Sequence, residues 1–153
     1  MRLNGNGQRF TLALRVPEWA EGFTVSVNGE KAVGEEKNGY FLLRKAWGKD
    51  KIDVRFKAPV KARILNKKIA FTQGPITLAR DCRLGDIIAP VQINARNGKN
   101  VRARRVKNGN FSSNIAYEIT TKEGKITLCD YAQAGKNFDD EDCNITVWQE
   151  KNG

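Results

Sequence analysis

Apolar and polar residues alternate one for one along most of this chain. In FTLALRV, Phe10, Leu12, Leu14 and Val16 fall on one face of an extended strand, and Thr11, Ala13 and Arg15 on the other. In FTVSVNGE, Phe23, Val25 and Val27 alternate with Thr24 and Ser26. Asn28-Gly29 follows at once, and both residues accept the positive φ of a tight primed turn, so a hairpin is expected there. YFLLRKAW, KIDVRFKAP, KIAFTQ, PITLARD, PVQINAR, AYEITTK, KITLCDYA and NITVWQE read as further strands, punctuated by Gly, Asn and Pro. No segment of 12 residues keeps a helical period.

The expected fold is therefore all-β: an antiparallel β-sandwich, jelly-roll-like. Pro59 ends the strand IDVRFKA, because proline cannot donate to a central ladder. It marks the best internal boundary. Residues 1–58 are expected to form a first β-sandwich portion and residues 59–153 a second, packed together because no Gly/Ser-rich linker separates them.

Composition narrows the chemistry. With 153 residues and 40% hydrophobic content, the chain can bury a core. It contains no histidine, which removes Ser-His-Asp and Cys-His nucleophile systems and most zinc and non-haem iron sites. Cys82, Cys129 and Cys143 are too few, and odd in number, for a disulfide framework, and none has metal-ligand spacing to another. No apolar run approaches the roughly 20 residues of a spanning helix. The opening MRLNGNGQRF lacks the apolar stretch of a signal peptide, and the compartment stays open. The formal charge of +10 admits nucleic acid, acidic glycans or an anionic protein surface without choosing among them.

Three stretches in order carry a resemblance: FTLALRVPEWAEGFTVSVNGEKA, NGYFLLRKAWGKDKIDVRFKAPVKAR and IAFTQGPITLARD. With the closing ITLCDYAQAGK and NITVWQE, they resemble the β-sandwich region behind the catalytic barrel of glycoside hydrolase family 127, the β-L-arabinofuranosidase-like proteins. The resemblance runs from Phe10 to Gln149. The chain departs from the family pattern at Gln73, where arginine usually precedes Gly-Pro, at Cys129-Asp130 for Pro-Tyr, and at Gly135-Lys136 for Arg-Gly. The resemblance implies a parent whose chemistry sits in an (α/α)6 helical barrel, with a cysteine nucleophile in a zinc site and a nearby glutamate. Nothing in this sequence matches that barrel, and the three cysteines fall in the wrong region to be its nucleophile.

Candidate sites follow from residue chemistry. Segment 96–107 holds six basic residues and no acidic one: Arg96, Lys99, Arg102, Arg104, Arg105 and Lys107. Guanidinium forks suit phosphate or uronate oxygens, so these six are the candidate polyanion contact. The competing reading is a solvated edge hairpin whose charges discourage edge-to-edge pairing. Aromatic residues, which single-strand binders use to stack bases, do not interleave the run. Trp19, Trp47 and Trp148 are expected to close the core rather than stack on sugar. Of Tyr40 and Phe41, on opposite faces of one strand, one is expected in the core. Asp139 to Asp142 lack the spacing and glycine of an EF-hand and read as a solvated loop. NFS at 110–112 and NIT at 144–146 are formal glycosylation sequons. No catalytic, metal or cofactor-binding residue is assigned, and no cofactor is implied.

Three function classes remain. The first is a non-catalytic accessory β-sandwich region of a glycoside hydrolase, not an enzyme by itself, bracing a helical catalytic barrel or mediating assembly as a homodimer. The second is a free-standing carbohydrate-binding module for anionic glycans. The third, motivated by charge alone, is a nucleic-acid-binding β domain, and it ranks last. No membrane partner is implied.

Overall fold

The alternation along the chain is realised as antiparallel strands. The structure, a computed structural model, describes residues 1–107, 115–135 and 144–151. The chain divides into two compact units, Met1–Ala58 and Pro59–Gly153.

The first unit contains β1 (Arg2–Asn4), β2 (Arg9–Arg15), β3 (Glu21–Val27), β4 (Glu30–Lys31), β5 (Glu35–Lys37), β6 (Tyr40–Ala46) and β7 (Lys49–Lys57). They form a four-stranded sheet in the order β1-β7-β3-β4 and a three-stranded sheet in the order β2-β6-β5. Inward residues of both sheets meet in one core. Val25, Leu43, Trp47 and Ile52 are buried there, with Phe10, Leu12, Leu14, Phe23 and Phe41 packed against them. This is sandwich construction, and the strand alternation places each of those side chains. Asn28 (φ 55°) and Gly29 (φ 91°) make the expected two-residue turn between β3 and β4. Gly5 is fixed by contact: a Cβ there would stand 2.4 Å from the Cβ of Trp47.

The second unit contains β8 (Val60–Leu65), β9 (Lys68–Gln73), β10 (Ile76–Asp81), a 3-10 turn (Cys82–Leu84), β11 (Ala103–Arg105), β12 (Ala116–Thr120), β13 (Lys125–Asp130), β14 (Ile145–Thr146) and β15 (Gln149–Glu150). Pairings run β8 to β9 to β10 to β13 to β12 to β11, while β14 pairs the end of β10 and β15 the start of β9. The sheet curls as a half-barrel. The segment entering β11 returns to β8: Val101 N–H donates to the Val60 carbonyl at 2.8 Å, and Ala62 N–H to the Lys99 carbonyl at 3.0 Å. Val60, Ala62, Ile69, Phe71, Leu78, Val91, Ile119 and Leu128 form the enclosed core.

Two strand expectations are corrected. PVQINAR is not a strand: Val91 makes only an isolated bridge to Lys151. Its backbone is instead satisfied piecemeal, with the Gln92 carbonyl accepting from Lys122 N–H at 2.8 Å. NITVWQE splits into β14 and β15, so Trp148, expected in the core, is 45% exposed. Among the described residues there is no α-helix, and no helix long and apolar enough to cross a membrane.

Candidate functional site

The basic run is divided between a turn and a strand. Arg96 to Lys99 lie in a turn latched to β8, where Gly98 N–H donates to the Ala62 carbonyl at 2.8 Å and the Asn97 side chain accepts from Ile64 N–H at 2.9 Å. Arg104 and Arg105 belong to β11, which ends the row of paired strands next to β12. Their register is Arg104 opposite Glu118 and Arg105 opposite Tyr117.

That register builds a charged cluster. Glu118 receives an Arg104 guanidinium nitrogen at 3.1 Å on one carboxylate oxygen and Lys125 Nζ at 2.9 Å on the other. Lys125 reaches it diagonally from β13, where Lys125 pairs Thr120 and Thr127 pairs Glu118. Bonds from Lys125 and then Arg104 hold the Glu118 carboxyl below its ordinary value. The cluster lines a groove of about 780 Å³ together with Asn94, Asn100, Arg102 and Thr120. Ile93, Val101 and Ala103 supply its apolar lining and pack against the core beneath. Of the six candidate polyanion residues, Arg102 and Arg104 line the groove, whereas Arg96, Lys99, Arg105 and Lys107 do not. Glu118, Lys125 and Asn94 were not legible as partners in the sequence, because strand register brings the first two together and Asn94 joins them from outside any strand.

A second charged knot closes the end of β10. Asp81 is fully buried and accepts from Arg83 Nε at 2.8 Å, Arg83 Nη2 at 2.6 Å, Arg83 N–H at 3.0 Å and Gly135 N–H at 3.0 Å. Burial pushes its carboxyl up, but the bonds from Arg83 and Gly135 outweigh burial and leave it below the usual carboxylate range. Next to it, buried Arg80 gathers its own loop, donating to the Ala89 carbonyl at 2.7 Å and to the Asp86 carbonyl. Arg80, Asp81, Asp86 and Ala89 border a cavity of about 200 Å³. Cys82 is disulfide-bonded, a single cross-link rather than a framework. Cys129 is free and buried, and burial, then the Asp81 charge, pushes its thiol up to about 11. Such a thiol is a poor nucleophile at neutral pH.

In the first unit the aromatic residues mostly pack against one another. The Trp47 ring is fully buried and its Nε1 donates to the Phe10 carbonyl at 3.0 Å, as expected of a core tryptophan. Trp19 is half-buried, its ring edge-on to Phe56 at 5.5 Å, and Phe56 stacks on Phe23 at 6.2 Å. Phe41 joins the core while Tyr40 is 40% exposed. No group of His, Cys, Asp and Glu able to hold a metal ion occurs among the described residues. Asp139 to Asp142 lie outside them.

Residues 2–59 match the family model described as the middle domain of glycoside hydrolase family 127 β-L-arabinofuranosidases. Comparison with curated proteins gives no match. Three solved structures are similar in fold. A GH127 β-L-arabinofuranosidase from Geobacillus stearothermophilus T6 is 20% identical with a TM-score of 0.66, covering 95% of this chain and 27% of that one. A GH127 β-arabinofuranosidase is 18% identical with a TM-score of 0.70, covering 95% and 28%. A protein described as a glycoside hydrolase is 17% identical with a TM-score of 0.75, covering 99% and 30%. The chain thus spans under a third of each of these proteins. It resembles a GH127-like β region without the catalytic barrel, and within it residues 2–59 match the GH127 middle domain.

Proposed function

We propose that this chain is a non-catalytic accessory β region of a GH127-type glycoside hydrolase, bracing a helical catalytic barrel or mediating assembly of the parent protein. One observation carries the reading: residues 2–59 match the GH127 middle domain. Three of the most buried reactive groups are in keeping with it. Asp81 and Asp50 are fully engaged by neighbouring donors, and the free thiol of Cys129 is buried and protonated. A glycosidase needs two carboxyl groups free to act on the substrate, one as acid and one as nucleophile or base. The names of the similar enzymes make an arabinofuranoside the substrate class proposed for the parent. The test is turnover of an aryl β-L-arabinofuranoside by the purified chain. No hydrolysis above background is expected. Turnover abolished by mutating a carboxylate of this chain would overturn the reading.

A further inference from the structure

We propose that the groove beside β11 is a binding subsite for a carboxylated saccharide, with Arg102 and Arg104 receiving the uronate carboxylate. The inference goes beyond the accessory role and stands without it. Four observations converge. First, the groove, at about 780 Å³, has the size of a small-molecule site, which typically spans about 300–1,000 Å³. Second, its ionic lining is three cations, Arg102, Arg104 and Lys125, against the single carboxylate of Glu118.

Third, the cations are not all spent. Glu118 engages Lys125 through one oxygen and one terminal nitrogen of Arg104 through the other, which links three neighbouring strands. The Arg102 side chain makes no hydrogen bond or ion pair among the described residues. Its planar fork matches a carboxylate through two parallel bonds, a geometry that a lysine point charge cannot reproduce. Fourth, the remaining lining pairs Asn94 and Thr120, which both donate and accept, with the apolar Ile93 and Val101. That mixture suits the hydroxyls and C–H faces of a sugar ring.

The lining also argues against other ligands. It contains no aromatic side chain, so a neutral saccharide has no ring to stack on, and single-stranded nucleic acid has no platform for its bases. Recognition therefore depends on charge and fork geometry.

The experiment titrates the ¹⁵N-labelled chain at physiological ionic strength with trigalacturonic acid, arabinotriose, a heparin-derived tetrasaccharide and an oligothymidylate. The expected result is saturable binding of trigalacturonate, with shifts confined to Asn94, Val101 to Arg104, Glu118 and Lys125. Arabinotriose should give none, and the other two anions only weak, unsaturated shifts. Arg102→Lys, which keeps the charge but not the fork, should weaken trigalacturonate binding roughly tenfold. Arg96→Ser and Lys107→Ser, in the same basic run but outside the groove, should leave it unchanged. Melting curves confirm that each variant is folded. Equal binding of all three anions, equal losses from all three substitutions, or no binding of trigalacturonate would each overturn the proposal. Loss of this binding would leave the turnover test of the accessory role untouched.

Discussion

The Asn28 side-chain amide donates to the Asp50 carboxylate at 2.8 Å, tying the β3–β4 turn to the start of β7. The same Asn28 accepts from Lys51 N–H at 2.7 Å through its side chain and donates its own N–H to the Lys51 carbonyl at 2.8 Å. Asp50 is completed by Gly48 N–H at 2.9 Å and Lys45 Nζ at 3.2 Å. Asparagine at this turn therefore does more than tolerate a positive φ. It supplies both halves of an inter-strand clamp. Asn28→Gly, which keeps the turn conformation and removes the clamp, should lower Tm clearly, and Asp50→Ala should lower it further. In a double-mutant cycle the two losses should be less than additive. Additive losses in the melts would separate the residues.

Acid should unfold the protein through Asp81. For Asp50 and Asp81 alike, burial pushes the carboxyl up and the bonds it accepts bring it net below its ordinary value. A lowered folded-state pKa contributes stability that is fully present above the unfolded carboxylate value, near 4, and is lost as pH falls through the folded value. Urea midpoints should hold from neutral pH down to that range and then drop. Removing the partner of buried Asp81 by Arg83→Met should cost on the order of 3 kcal/mol at neutral pH. A midpoint that begins to fall well above the carboxylate range would assign the acid transition to other groups.

The β8–β9 hairpin carries an avoidable strain. Its two-residue turn places Asn66 at φ 48° and Lys67 at φ 62°, the latter a conformation that costs a long L side chain. The Lys67 carbonyl accepts from Lys151 N–H at 2.9 Å, a backbone contact that any residue keeps. Lys67→Gly should therefore stabilise the fold by about 0.5–1 kcal/mol, the gain typical of relieving such a site after glycine's own entropy cost. An unchanged or lowered Tm would contradict it.

Cys129 should be silent to thiol reagents in the native state. Its side chain is 1% exposed and its thiol, raised to about 11, stays protonated at neutral pH. Peptide mapping after iodoacetamide treatment should show no label at Cys129 in buffer and full label in denaturant. Rapid native labelling would mean that this face of β13 opens.

The strand alternation made the first unit readable. Phe10, Leu12 and Leu14 sit where a period of two places them, and Asn28-Gly29 turns where its φ preferences require. Reading failed where alternation was not backed by a partner strand. Val91 to Arg96 alternate as well as any strand, yet a strand exists only through its neighbour, and here Val91 alone pairs. The groove was half legible. Arg102 and Arg104 stood out as charge, but Glu118 and Lys125 lie on other strands and join them only through a register that no local pattern encodes. The cross-link at Cys82 was not legible either, since a count of cysteines excludes a framework but says nothing about a single pair.

The most direct measurement of the central claim is association. The helical barrel of a GH127-type enzyme, taken from the same reading frame or genome as this chain, is co-expressed with it, and the mixture is sized and melted. The accessory reading predicts a complex of defined stoichiometry in which the barrel melts at a higher temperature than it does alone. Two separate species, with the barrel equally stable and equally active in the absence of this chain, would contradict it.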